Sequence, residues 1–234
     1  MESLYVYAIA DQPDLDLPNV KGIGDMPISG LRAGDLMAVV SSIDGSTVPL
    51  SRANLLCHER VIEALMIART VLPARFGTTT DHAGRIQKTL TINDDCYRAN
   101  LERVRGRVEI ALRVGWEPEA EDPVARPRAA DATNGRSYMQ ALLERTQGSR
   151  RRRTMAEELA ASLTTGLAEL SDAVVEKVMP TPQLLLKAAY LVRREHVPEI
   201  RRRIEALRVT YPALAILATG PWPAYSFVEE GNVT

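Results

Sequence analysis

The chain has 234 residues, 45% apolar and 25% charged, enough to bury one large core or two modest ones. Formal net charge is −1, from 29 basic and 30 acidic residues, which excludes a global field that would steer the protein to nucleic acid or to an anionic membrane. Cys57 and Cys96 stand far apart without metal-ligand spacing, so neither a disulfide framework nor a zinc site is expected, and both read as reduced cytoplasmic thiols. No apolar run approaches about 18 residues, and Met1–Asp14 lacks the basic start of a signal peptide, so neither a spanning segment nor a leader is expected.

Leu4–Ala10 (LYVYAIA) is aromatic and aliphatic and is closed by a turn, which predicts a buried strand. Met26–Leu31 and Leu36–Ile43 predict two more, with Gly34-Asp35 between them as a hairpin signal. Ser51 caps a predicted helix from about Arg52 to Arg69, in which Leu55, Ile62, Leu65, Met66 and Ile67 make a broad apolar face. That pattern breaks at Val71-Leu-Pro-Ala-Arg-Phe-Gly77. Pro73 withholds an N–H and biases Leu72 towards extended backbone, and Gly77 permits a positive φ, so the stretch predicts a short edge strand and then a turn. Asp81 is the expected cap of a short helix, His82–Leu90. Asn93 or Asp94 caps another that ends near Gly106, with Tyr97, Leu101 and Val104 on one face. Arg107–Val114 predicts a returning strand that ends at Gly115-Trp116.

Residues 117–136 hold three prolines, many alanines and no aliphatic run, which predicts a linker. From Ser137 the pattern is helical, and Met155, Leu159, Leu163, Leu167 and Leu170 form an amphipathic stripe. Strands follow at Ala173–Met179 and Leu184–Val192, then a helix at Val197–Val209 with Pro198 in its first turn, then a strand at Leu214–Thr219. The order helix, strand, strand, helix, strand is most of a ferredoxin-like unit. The expected fold is α+β with two domains, 1–116 and 137–234, each a small mixed sheet packed with helices, the C-terminal one ferredoxin-like.

His58-Glu59 is half of a zinc-helix motif, but Ile62 stands where the second histidine belongs, so His58 reads as a structural residue. Arg150–Arg153 runs around a helix without interleaved aromatics and is followed by Glu157-Glu158, which reads as a solvated helix end. No nucleophile–base arrangement, paired carboxylates or phosphate loop is found, so no catalytic, cofactor-binding or metal-ligating residue is named. Two readings stay open for the Leu72–Phe76 stretch. Arg75 reaches a local carboxylate while Phe76 packs inward, or Leu72, Arg75 and Phe76 form a recognition edge for a partner. Trp222, Tyr225 and Phe227, bracketed by prolines, either cap the core of the second domain or form an exposed aromatic anchor.

Two stretches carry a resemblance. His58-Glu-x-Val61 followed by Thr70-Val-Leu-Pro-x-Arg-Phe-Gly-Thr78, and the closing Thr219-Gly-Pro-Trp-Pro-x-Tyr-Ser-Phe227, resemble the motifs of the GvpF/GvpL family of gas vesicle accessory proteins. LYVYAIA and DLMAVVS fit the same pattern in order, so the resemblance spans nearly the whole chain. Ala224 departs from it where a second proline is common. The resemblance implies a cytoplasmic, non-enzymatic protein without cofactor. It implies contact with the hydrophobic wall protein and with other gas vesicle accessory proteins during assembly, and a possible minor place in the vesicle itself. The rival expectation is a ferredoxin-like regulatory or small-molecule-binding protein.

Overall fold

The computed structural model describes residues 2–11, 16–116, 153–154, 156–158, 160–178 and 184–228, with Glu2 and Trp116 described by backbone alone. The expected linker and Arg150–Arg152 lie outside the described residues. The chain divides into two compact units, Met1–Glu109 with Pro221–Thr234, and Ile110–Gly220.

In the first unit the aromatic run predicted as a buried strand is β1 (Glu2–Ala10), the centre of a five-stranded sheet. On one side β1 pairs with β3 (Leu36–Asp44), which pairs with β2 (Ser29–Ala33) through the predicted hairpin. Gly34 has φ 60° at the first central position of that two-residue turn, a conformation glycine adopts without steric cost. On its other side β1 pairs in succession with β4 (Val71–Pro73) and β5 (Thr79–Thr80). All these ladders are antiparallel, where the sequence reading expected a mixed sheet. The hairpin joining β2 to β3 permits no other pairing for those two strands.

One residue decides which side chains share a face. Val6 pairs with Val40 and Ala8 with Val39, so Tyr7 is an extra residue, a β-bulge. Strict alternation would send Ile9 to the same face as Tyr5 and Tyr7. The bulge shifts the phase, and Tyr5, Tyr7, Ala8 and Ala10 all join one core. That core is closed by α1 (Arg52–Ala68), which buries His58, Val61, Ile62 and Leu65 at helical spacing. Leu55 and Ile67, expected on the inner face, are exposed, Ile67 at 86%. Ser51 caps α1 as predicted, its hydroxyl accepting from Asn54 N–H at 3.2 Å.

The opposite face of the sheet is covered by α2 (Ala83–Ile92) and α3 (Asp94–Val104). The cap of α2 is His82, whose ring Nδ1 accepts from Gly84 N–H at 3.1 Å, in place of the expected Asp81. In α3, Tyr97, Leu101 and Val104 face inward as predicted, joined by Asn100.

The second sheet holds β6 (Arg107–Trp116), β7 (Ser171–Val178), β8 (Leu186–Arg193) and β9 (Leu214–Trp222) in the order β7-β8-β6-β9. Residues 160–168 are helical (α4), and α5 (Val197–Thr210) precedes β9. The chain order β6, α4, β7, β8, α5, β9 with this strand order is the ferredoxin-like arrangement. Its first strand is β6, which the sequence reading had assigned to the N-terminal domain. Ile110, Leu112 and Val114 of β6 alternate into one core with Leu163, Leu167, Tyr190, Ile200 and Ile204. Met155 and Leu159 of the predicted stripe lie outside the described residues.

Candidate functional site

The segment between β4 and β5 is fastened to β1 and α1 by a chain of polar contacts. Ala74 N–H donates to Tyr7 C=O at 2.8 Å, and Val6 N–H donates to Thr78 C=O at 2.9 Å. Residues 75–77 therefore leave the ladder as a turn and return to it, with Gly77 at φ 88°. Gly77 N–H donates to the Tyr5 hydroxyl at 3.1 Å. The Tyr5 hydroxyl lies 3.0 Å from His58 Nδ1, and His58 Nε2 lies 3.2 Å from the Ala74 carbonyl. A carbonyl only accepts, so Nε2 carries the proton and Nδ1 accepts from Tyr5. Burial holds the His58 imidazole below its ordinary range, against the opposing pull of the Ala74 carbonyl, in keeping with a neutral ring. Both nitrogens are engaged, which leaves the ring a structural part rather than a metal ligand. Phe76 packs edge-on against His58 and Tyr5, with centroids at 5.8 and 6.1 Å.

The closing motif joins the same cluster. Tyr225 OH donates to Glu59 Oε1 at 3.0 Å and lies 3.3 Å from His58 Nε2. Ser226 donates its N–H and its hydroxyl to the two carboxylate oxygens of Glu109, at 2.8 and 2.9 Å. The Arg103 guanidinium donates to the Phe227 carbonyl. Burial raises Glu59 and Glu109 above the usual carboxylate range, and the hydrogen bonds from Tyr225 and Ser226 oppose it. Burial pushes the Tyr5 phenol up to about 12, and burial with help from Glu59 raises the Tyr225 phenol as well. The clamp therefore contains protonated phenols and a neutral imidazole at neutral pH.

Beside this clamp lies a cleft of about 640 Å³ on the α2–α3 face of the first sheet. Val6, Ile9 and Ala38 line it from β1 and β3, and Leu72, Pro73, Ala74 and Arg75 from β4 and its turn. Thr78, Thr79 and Thr80 contribute from β5 and the residue before it, and Arg85, Ile86, Thr89, Leu90 and Tyr97 from the two helices. Tyr225 and Val228 complete the lining. Its size is that of a site for a small ligand or a few partner side chains.

Of the six residues singled out in the sequence, Leu72, Arg75 and Tyr225 meet at this cleft. Phe76 turns the other way, onto the His58 ring. Phe227 is buried, and Trp222 is half-buried at the end of β9; neither lines the cleft. Tyr225 packs against the core of the first unit, where one reading had the closing aromatics capping the second domain. The clamp partners Tyr5, Glu59 and Ser226 lie in stretches quoted from the sequence, but no site role was expected of them or of Glu109. Glu109 carried a signal: it is a lone carboxylate between Val108 and Ile110 in a strand buried at all three positions. Among the described residues no group of three or more His, Cys, Asp or Glu could hold a metal ion.

Fold and site together define a two-unit α+β protein whose buried histidine, tyrosines and carboxylates fix its own backbone beside an apolar cleft. The chain belongs to the gas vesicle synthesis protein GvpL/GvpF family, whose model matches residues 3–229. It is 31% identical to gas vesicle protein L of a Streptomyces species, over 95% of this chain and 91% of that protein. It is 27% identical to gas vesicle protein F1 of Halobacterium salinarum, over 97% of this chain and 93% of that one. Its fold resembles the crystal structure of GvpF from Anabaena with a TM-score of 0.80, at 21% identity over 99% of this chain and 98% of the other. No helix among the described residues is long and apolar enough to cross a membrane.

Proposed function

We propose that this protein acts in the cytoplasm as a non-enzymatic assembly factor of the gas vesicle, holding the hydrophobic wall protein and meeting other accessory proteins while the wall is built. A subunit with a gas-facing apolar surface aggregates in water unless that surface is covered. A factor that covers it needs an apolar recess on a rigid support and no reacting group. The observation that carries this reading is the cleft. Leu72 and Arg75 from one family motif and Tyr225 from the other, far apart in the chain, line the same apolar recess. The clamp around His58 supports the reading because it holds the turn and the closing segment in register beside that recess.

The test is capture of the wall protein by immobilised protein. Arg75→Ala is expected to weaken capture with little change in melting temperature. Phe76→Ala, which strips a ring from the His58 cluster, is expected to lower the melting temperature first. A second reading, a small-molecule-binding protein, is favoured by the cleft volume, which is ordinary for such ligands. Thermal stabilisation by a metabolite, without capture of the wall protein, would decide for that reading.

A further inference from the structure

The two outer strands of the second sheet protect their edges differently. β7 and β9 stand at the ends of its strand order. β7 carries Asp172, Glu176 and Lys177 and has a bulge between Ser171 and Ala173, devices that discourage pairing with a further strand. β9 has no charge and no proline of its own over Leu214–Gly220, the run LAILATG. An apolar run of that kind at a sheet edge is a template for strand addition. It is open to water, since Leu217 is 53% exposed.

The charges that β9 lacks come from α5. Arg208 Nε donates to Ile216 C=O at 3.0 Å, and Arg201 Nη2 donates to Gly220 C=O at 2.8 Å. Seven helical residues rise about 10.5 Å and four strand residues about 13 Å, a mismatch that two long side chains absorb. Both carbonyls lie on the outer side of β9. Leu185 N–H, just before β8, donates to Val114 C=O, so the even residues of β6 turn to β8 and its odd residues to β9. Hydrogen-bonded residues of an antiparallel pair share a face, and the core residues of β6 and β9 are all even. The odd residues of β9 therefore turn to β6, and Ile216, Ala218 and Gly220 turn outward. The guanidiniums stand where the N–H groups of an added strand would stand.

We propose that Arg201 and Arg208 close the β9 edge against a second copy of this chain, and that β9 pairs with its own copy when they are removed. The faces fix the register. An antiparallel pair centred on Leu217 sets Leu217 against Leu217 and Ala215 against Thr219 on one face, and Ile216 against Ala218 on the other. That pairing needs the Ile216 carbonyl, which Arg208 holds, and Arg201 occupies the outer end of the same ladder at Gly220. It also brings the Arg208 side chains of the two copies together near the two-fold axis, so the guard acts a second time through repulsion.

The test is the mass of the full chain in solution, by sedimentation equilibrium over a range of concentrations. Arg201→Ser/Arg208→Ser is expected to reach twice the wild-type mass as it is concentrated. In that associated form the amides of Ile216 and Ala218 gain hydrogen-exchange protection. Leu217→Lys, added to the double variant, sets like charges face to face on the axis and returns the mass to the wild-type value. Arg208→Ser alone gives up, besides the guard, only an exposed pair with Glu205, and it carries the test if the double variant fails to fold. A folded variant whose mass stays at the wild-type value would overturn the inference, as would association that survives Leu217→Lys. A wild-type mass that falls when Leu217→Lys is introduced alone would also overturn it, because the edge would then be open with both arginines in place.

Discussion

His58 ties β1 to the turn after β4 through two ring nitrogens of opposite role, Nδ1 accepting from Tyr5 and Nε2 donating to Ala74 C=O, and its protonation has a predictable effect. Burial lowers it below the ordinary imidazole value of 6.5, so the unfolded chain takes up the proton first. The stability contributed by the neutral ring is complete above that value and is lost as pH falls through the lowered one. Glu59 runs the other way, because burial raises it above 4.5. Its contribution is complete below 4.5 and is lost as pH rises through the raised value. Urea midpoints measured from pH 4.5 to 8 are expected to show both slopes. His58→Gln should flatten the loss on the acid side. Glu59→Gln, which keeps an oxygen for Tyr225 OH, should flatten the loss on the rising side. Either variant retaining the wild-type slope in its own window would refute this assignment. Tyr225→Phe removes the bond to Glu59 and is expected to cost about 1 kcal/mol, read from the same midpoints.

At the scale of elements, the bulge at Tyr7 sets up the site. It turns Tyr5 and Tyr7 towards α1 and leaves Ile9 for the cleft, while the Tyr7 hydroxyl accepts from Ile23 N–H at 2.8 Å and meets Ser41 Oγ at 2.9 Å. Gly22 is the neighbour that makes room for it. A Cβ built on Gly22 would stand 2.3 Å from that hydroxyl, with Ser41 Oγ at 3.0 Å. Gly22→Ala is therefore expected to cost about 1–3 kcal/mol, visible as a lower melting temperature. The helices were legible in the sequence because their burial follows a local period: α3 buries the three apolar positions that the spacing predicts. The inner face of α1 was only partly legible, because His58 does not score as apolar although it sits at the right phase with Val61, Ile62 and Leu65. The bulge was not legible, since an extra residue is fixed by the register of the partner strand and no local pattern reports it. The cleft was legible only as separate residues, Leu72, Arg75 and Tyr225, because its walls come from β1, β3, the elements between Leu72 and Tyr97, and the closing segment, which are spread from Val6 to Val228.

At the scale of the whole molecule, reading the chain from left to right misassigns two segments. The second sheet takes β6 as an inner strand, and the first unit takes back the closing residues from Pro221 onward. A contiguous boundary at residues 117–136 has no means of expressing either. The fragment Ile110–Gly220 is expected to fold alone with dispersed amide resonances, since it carries the core shared by β6, α4, β8 and α5. A chain stopped after Gly220 is expected to lose the bonds from Tyr225 to Glu59 and from Ser226 to Glu109, and with them hydrogen-exchange protection in α1 and β1. The same interleaving imposes an order on synthesis at the ribosome. The first unit waits for its last strap while roughly a hundred intervening residues are translated, a delay on the order of ten seconds. During that interval the Leu72–Tyr97 recess lacks its Tyr225 wall, so a nascent chain presents a more open apolar surface than the finished one.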